Sequence, residues 1–253
     1  MTNALATSDI NVNDITSRKM FWDLTDAAKL EAEYDADDKL SYLETASVDV
    51  LINIFHEYRF FIKYFISDLG ILMFKAPFGE FKCMIAEIAV DELGETPDQT
   101  HLKLWDDFLV SLGDDPETLE QSRHPENIEL LEELRRLMLD ESFFYGVGLR
   151  GMGAECLCQV YLSSAYKRLL KNPNIEALKD KIDWVFWDIH TGEEDIEHGV
   201  LVRNAIDGML ADDEDGLKPL AEGYFRAKNN WEEFWGNLYD HYNLQNKKEE
   251  VVA

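Results

Sequence analysis

Cysteine, proline and positive charge are scarce in this chain, and no long hydrophobic run interrupts it. Three cysteines, Cys83, Cys156 and Cys158, make an odd count in 253 residues. Cys156 and Cys158 stand two apart in an apolar helical run, where a bridge is geometrically poor. A disulfide-stapled scaffold is therefore excluded, and a reducing, cytoplasmic setting is expected. Lysine and arginine number 24 against 51 aspartates and glutamates, a formal net charge of −27. No basic cluster offsets that acidity, so nucleic acid and anionic membranes are excluded as partners; solubility is its chief consequence. The longest apolar stretch, Phe60 to Phe74, is broken by Lys63 and Asp68 and is too short to span a bilayer. The opening MTNALATSDINVND has neither the basic start nor the apolar core of a secretory signal.

The few prolines are informative by position. Pro77, Pro97, Pro116, Pro125, Pro173 and Pro219 all separate periodic segments, as expected of a residue that breaks helix interiors. Between them apolar residues recur at three and four, as in Leu51-Ile54-Phe55-Tyr58-Phe61-Ile62-Phe65-Ile66, Leu130-Leu134-Leu137-Met138 and Ile182-Val185-Ile189-Ile196-Val200. No sustained alternation marks a strand. The chain reads as all-α, with helices expected near 26–34, 39–75, 78–94, 98–112, 126–140, 142–171, 175–211 and 217–243. No linker or repeat divides it, so one helical domain is expected over 21–243, with flexible tails at 1–20 and 244–253.

Histidine is scarce too, with six residues in all, and two of them fall in HTGEEDIEHG. On one α-helix His190, Glu194, Glu197 and His198 share roughly a third of the circumference, while Asp195 points away from His190. That polar arc borders the Ile182–Val200 stripe, where a metal in a bundle core would need it. Gly192 suggests a π-bulge, which would return His190, Asp195 and His198 to an i, i+4, i+7 relation. The choice between Glu194 and Asp195 stays open at this level. Imidazole with carboxylate suits iron, manganese or zinc. A solvated acidic face carrying two histidines is the plainer alternative.

Two further places carry chemistry. Glu92 lies at one helix end and His101 at the next helix start, with Gly94 and Pro97 between them, so the two can converge across a short turn. Glu87, Asp91 and Glu95 are alternative ligands nearby. In RGMGAECLCQVYLSSAY, Glu155 stands alone among small and apolar residues, and a carboxylate in such a setting needs a cation, a basic partner or a raised pKa. Gly146-x-Gly148 and Gly151-x-Gly153 lie in the same helical run without a preceding strand, which excludes a dinucleotide fingerprint.

In this order, these segments resemble the haem-oxygenase-like di-iron oxidase and oxygenase superfamily over roughly residues 40 to 210, including FIKYFISDLGILMFKAPFG. The family pattern is a glutamate then a histidine, a lone glutamate on a middle helix, and a histidine–acid–histidine cluster on a late helix. The resemblance implies a haem-oxygenase-like bundle of about seven to eight helices. It also implies metal ligands Glu92, His101, Glu155, His190, Asp195 or Glu194, and His198. HTGEEDIEH departs from the usual His-x-x-x-Asp-x-x-His by one extra residue before Asp195.

The implied chemistry is O2 reduction at two irons (Fe2+/Fe3+), with electrons from an external reductase or chemical reductant. The implied reactions are hydroxylation, desaturation or oxidative C–C cleavage of a small metabolite, an amino acid or amine, as in natural-product biosynthesis. A homodimer is compatible with this reading. Arg150 and Arg203, close in sequence to proposed ligands, are candidates to hold a substrate carboxylate, although either can equally pair with one of the many acids. Tyr145, Tyr161 and Phe186 are candidate pocket aromatics or plain core. The competing expectations are a metal-independent enzyme of the same fold using His/Glu acid–base chemistry, and an iron-binding protein without substrate turnover.

Overall fold

The computed structural model describes residues 12–190, 194–212 and 214–252; for residues 13, 194–199, 201, 211, 212, 214 and 244–252 it describes the backbone alone. Among these residues there is no strand. Eleven helices follow in order: α1 (Arg18–Lys39), α2 (Val48–Lys75), α3 (Glu80–Leu93), α4 (His101–Leu112), α5 (Pro125–Asp140), α6 (Phe143–Gly146), α7 (Gly153–Leu169), α8 (Pro173–Glu176), α9 (Val185–His190), α10 (Glu194–Asp212) and α11 (Leu217–Val252). A π-helical segment, Val147–Met152, joins α6 to α7. None of the described helices is long and apolar enough to cross a membrane.

Helix starts follow capping chemistry. Ser17, Ser47, Thr100 and Ser142 each accept a hydrogen bond from a backbone N–H three residues on, satisfying a donor that the first turn leaves open. Pro125 and Pro173 occupy the first helical turn, where a missing N–H costs nothing. α1 is longer than its periodicity suggests because its inner face is largely alanine. Ala28, Ala32 and Ala36 are fully buried, and this small-residue face packs on α7 and α11.

The expected helix over 175–211 is broken. Residues 177–181 form turns, with Leu178 N–H donating to Ile175 and Lys181 N–H to Leu178. The chain is then anchored from outside, as Asp183 N–H donates to Ser111 Oγ at 2.8 Å. The Asp183 carboxylate in turn accepts from Val185 N–H and starts α9. The continuous stripe expected through Val185 and Val200 does not form, since these side chains are 47% and 55% exposed. The π-bulge expected near Gly192 falls at residues outside those described. At the C-terminal end, α11 continues to Val252, into the segment read from sequence as a tail.

α2 runs through the molecule and packs on α3, α4, α5 and the π segment. α11 lies along the π segment, α6, α7 and α1. Two glycines permit the approach of α11 to the π segment. A Cβ on Gly148 would lie 2.0 Å from the Leu220 carbonyl oxygen, and one on Gly223 would lie 2.1 Å from that of Tyr145. The glycine-rich run thus serves helix packing. The π segment also carries Arg150, which is buried with Asp68: Arg150 Nε and Nη2 lie 3.0 and 2.8 Å from Asp68 Oδ2, and Arg135 Nε donates to Oδ1 at 2.8 Å.

Candidate metal centre

The turn between α3 and α4 is built to bring Glu92 to His101. Gly94 ends α3 at φ +62°, a conformation that favours glycine, and any Cβ there would lie 2.7 Å from the Gln99 carbonyl oxygen. Pro97 then opens a single 3₁₀ turn. Thr100 caps α4 through Lys103 N–H at 3.0 Å, so His101 becomes its first residue. The outcome is a His101 Nδ1 to Glu92 Oε1 separation of 3.1 Å, with both side chains largely buried.

His190 joins them from α9. Its Nδ1 lies 2.7 Å from the Phe186 carbonyl oxygen, which can only accept, so Nδ1 carries the proton and Nε2 presents a lone pair. Hydrogen bonding of the non-ligating nitrogen to a carbonyl is the usual support of a metal-binding imidazole. Phe186 stacks on His190 at 3.9 Å between ring centroids, and the His101 and His190 rings are 4.5 Å apart.

Ligand atoms of Glu92, His101 and His190 all lie within 4.8 Å of one another. Two donors held at right angles on one ion, each about 2.1 Å from it, stand about 3.0 Å apart. The Glu92–His101 separation matches that spacing, and a carboxylate with two imidazoles is a donor set suited to iron. The residues present fit the metal.

These groups line a cavity of about 490 Å³ enclosed by α2, α3, α4, α7, α9 and α10. Glu155 lines it from α7, with its Oε1 buried. The apolar wall comes from Phe61, Ile62, Phe65, Met84, Ile88 and Phe186, all buried. Glu87 and Asp91, each exposed, line the cavity from the α3 side, so these alternative ligands lie at its open edge.

Four of the expected residues, Glu92, His101, Glu155 and His190, therefore share one cavity. The side chains of Glu194, Asp195 and His198 lie outside the described residues. Neither arginine lines the cavity. Arg150 is engaged by Asp68, and Arg203 pairs with Asp26 at 3.2 Å and lies over the Trp22 ring. Sequence reasoning placed Tyr58 in a core stripe and read Cys158 for disulfides and as part of the apolar setting of Glu155. Both line the cavity, with Tyr58 Oη and Cys158 Sγ 3.4 Å apart. The available signal was helical spacing, because Cys158 stands three residues after Glu155 on the same face of α7.

A family model described as iron-containing redox enzyme matches residues 55–231, more than two thirds of the chain. No curated protein matches. Among solved structures, a CADD-like protein of unknown function from Nostoc punctiforme is 19% identical with a TM-score of 0.70, covering 88% of this chain and 98% of its own. A domain of unknown function with a heme oxygenase-like fold from Shewanella denitrificans is 13% identical with a TM-score of 0.62, covering 94% and 96%. At these identities the likeness establishes the fold: an all-α, haem-oxygenase-like bundle.

Proposed function

The chain belongs to the iron-containing redox enzyme family, and from that premise we propose that it is an O2-dependent, non-haem di-iron oxidase or oxygenase of a small amine-bearing metabolite. The convergence of Glu92, His101 and His190 on the wall of a partly apolar cavity carries this reading. These three side chains would hold iron, and Glu155, Glu194, Asp195 and His198 are the imidazole and carboxylate groups left for a second ion. Iron in such a set supplies the reduction of O2 and the oxidising power for hydroxylation, desaturation or C–C cleavage.

The chain's own residues set the conditions. The Phe186 carbonyl fixes the His190 tautomer and orientation. The apolar wall keeps water from the reacting centre. Among the described residues lining the cavity there is no lysine or arginine, while Glu87, Asp91, Glu92 and Glu155 are all acids. With Glu92 and Glu155 committed to iron, Glu87 and Asp91 remain at the open edge, where they favour entry of an ammonium over that of a lone carboxylate. Electrons come from an external reductase or chemical reductant.

The test is an anaerobic Fe(II) titration of metal-free protein, counting irons per chain, with His190→Ala and Glu155→Ala beside the parent. About two irons in the parent and fewer in both variants is the expected result; amines should then stimulate O2 consumption more than the matching carboxylic acids. No binding in the parent, or unchanged binding in the variants, sinks the metal reading. The 3.1 Å His101–Glu92 pair would then be a general acid and base.

A further inference from the structure

Two sets of tyrosine and tryptophan rings leave the cavity at Tyr58: one passes to Trp105 and Trp187, and the other runs towards α7 and ends on a carboxylate. Tyr58, on the cavity wall, stacks on Trp235 with centroids 5.6 Å apart and planes at 20°. It also lies 6.3 Å from Trp231. Both indoles come from α11, one helical turn apart, and both stack on Tyr161 of α7. The Tyr161–Trp231 distance is 5.3 Å at 8°, and the Tyr161–Trp235 distance is 6.2 Å at 10°. The Tyr161 hydroxyl donates to Asp35 Oδ2 at 2.8 Å. Asp35 Oδ1 lies 2.8 Å from Lys39 Nζ, and these two side chains are 20% and 23% exposed.

Every ring in this series is buried, and two parallel indole routes join its ends. Packing alone accounts for buried aromatics. Phe61 and Phe234 pack among these rings, but the readily oxidised rings are the four tyrosines and tryptophans, and they run from the cavity wall to a carboxylate that reaches solvent. The indole N–H of Trp235 is buried without a hydrogen-bond partner among the described residues, and a buried donor left in that state calls for a reason. Burial first, and then the Asp35 charge, hold the Tyr161 phenol well above its ordinary value, so the phenol stays protonated until it loses an electron.

We propose that Tyr58, Trp231, Trp235 and Tyr161 form a relay that carries single oxidising equivalents from the cavity to the Asp35 edge of the bundle when O2 is reduced there without substrate. The relay rests on the iron reading above. A one-electron oxidant in the cavity gains an electron, supplied through the rings by Tyr161. The Tyr161 O–H proton passes to the Asp35 carboxylate, leaving a neutral tyrosyl radical and a protonated Asp35. A thiol reductant in solution loses one electron and one proton of its own. That electron, with the proton held by Asp35, restores the phenol. The device spares the cavity residues, among them Met84 and Cys158, from oxidation.

The experiment uses iron(II)-loaded protein of measured iron content, exposed to O2 without substrate and freeze-quenched for electron paramagnetic resonance. Samples carry ordinary or ring-deuterated tyrosine. The parent should give a tyrosyl signal that deuteration narrows, and Tyr161→Phe should lose it. Asp35→Asn, on the rim and leaving all four rings in place, should form the radical more slowly. In both variants mass spectrometry should find several-fold more oxidation at Met84 and Cys158. A parent that binds iron and consumes O2 but gives no tyrosyl signal, or a signal unchanged in Tyr161→Phe, overturns the relay and leaves the iron reading standing. A parent that binds no iron overturns both.

Discussion

His124 shows how a single buried side chain ties stability to pH. It is 2% exposed, with Nε2 2.7 Å from the Tyr242 hydroxyl and Nδ1 3.2 Å from Glu126 Oε1. Burial above all lowers its pKa from the ordinary histidine value; Glu126 opposes the fall, while His241 and Arg123 add to it. Folding therefore disfavours the imidazolium. The neutral form's contribution is complete above the unfolded value of about 6.5 and is lost as pH falls through it towards the lower folded value. Urea midpoints measured between about pH 8 and pH 5 should fall more steeply for the parent than for His124→Gln. Parallel curves would show that His124 is not a source of the slope. The same scale explains why Arg150 is a poor substrate anchor: the guanidinium is 1% exposed and committed to Asp68. Breaking such a pair costs about 3–5 kcal/mol, because it strands the surviving charge.

At the scale of elements, the site depends on two close approaches. One is the Gly94 turn, which returns α4 beside the end of α3. The other is the crossing of α11 over the π segment at Gly148 and Gly223. The π segment ends three residues before Glu155, so the fit of α11 against it sets where α7 begins and which way Glu155 faces. Gly148→Ala places a methyl inside the van der Waals envelope of the Leu220 backbone, where no side-chain rotation relieves the clash. Overpacking of this kind costs about 1–3 kcal/mol or more, and thermal unfolding against the parent should detect it. Fe(II) affinity should fall as well, through displaced Glu155. Unchanged stability would mean that the helices separate without cost. π turns inside helices frequently accompany functional sites, and this one leads directly into α7, which carries Glu155.

At the scale of the whole molecule, charge dominates. A net −27 repels itself in the folded state more than in the expanded chain, which keeps the protein dispersed while eroding its stability. Raising sodium chloride from about 20 mM to about 500 mM, which shortens the screening length to a few ångströms, should raise the melting temperature. A fall would mean that surface ion pairs such as Arg203–Asp26 outweigh the repulsion. The same field concentrates cations at the cavity edge, where Glu87 and Asp91 are exposed, so capture of a ferrous ion and of an amine should both weaken with salt.

Sequence alone determined the helical class, the single domain and most helix starts, because apolar period, proline position and capping residues act over one or two turns and need no distant partner. It also singled out Glu92, His101, Glu155 and His190, since a histidine is rare here and a lone acid in an apolar run is costly. Tertiary structure decided the rest. The break between α8 and α9 depends on Ser111, some 72 residues away in the chain. The burial of Arg150 depends on Asp68, on α2. The entry of Tyr58 and Cys158 into the cavity depends on how α2 and α7 face each other. Such contacts join residues remote in sequence through packing and desolvation, and no local pattern of residue types encodes which remote groups will meet.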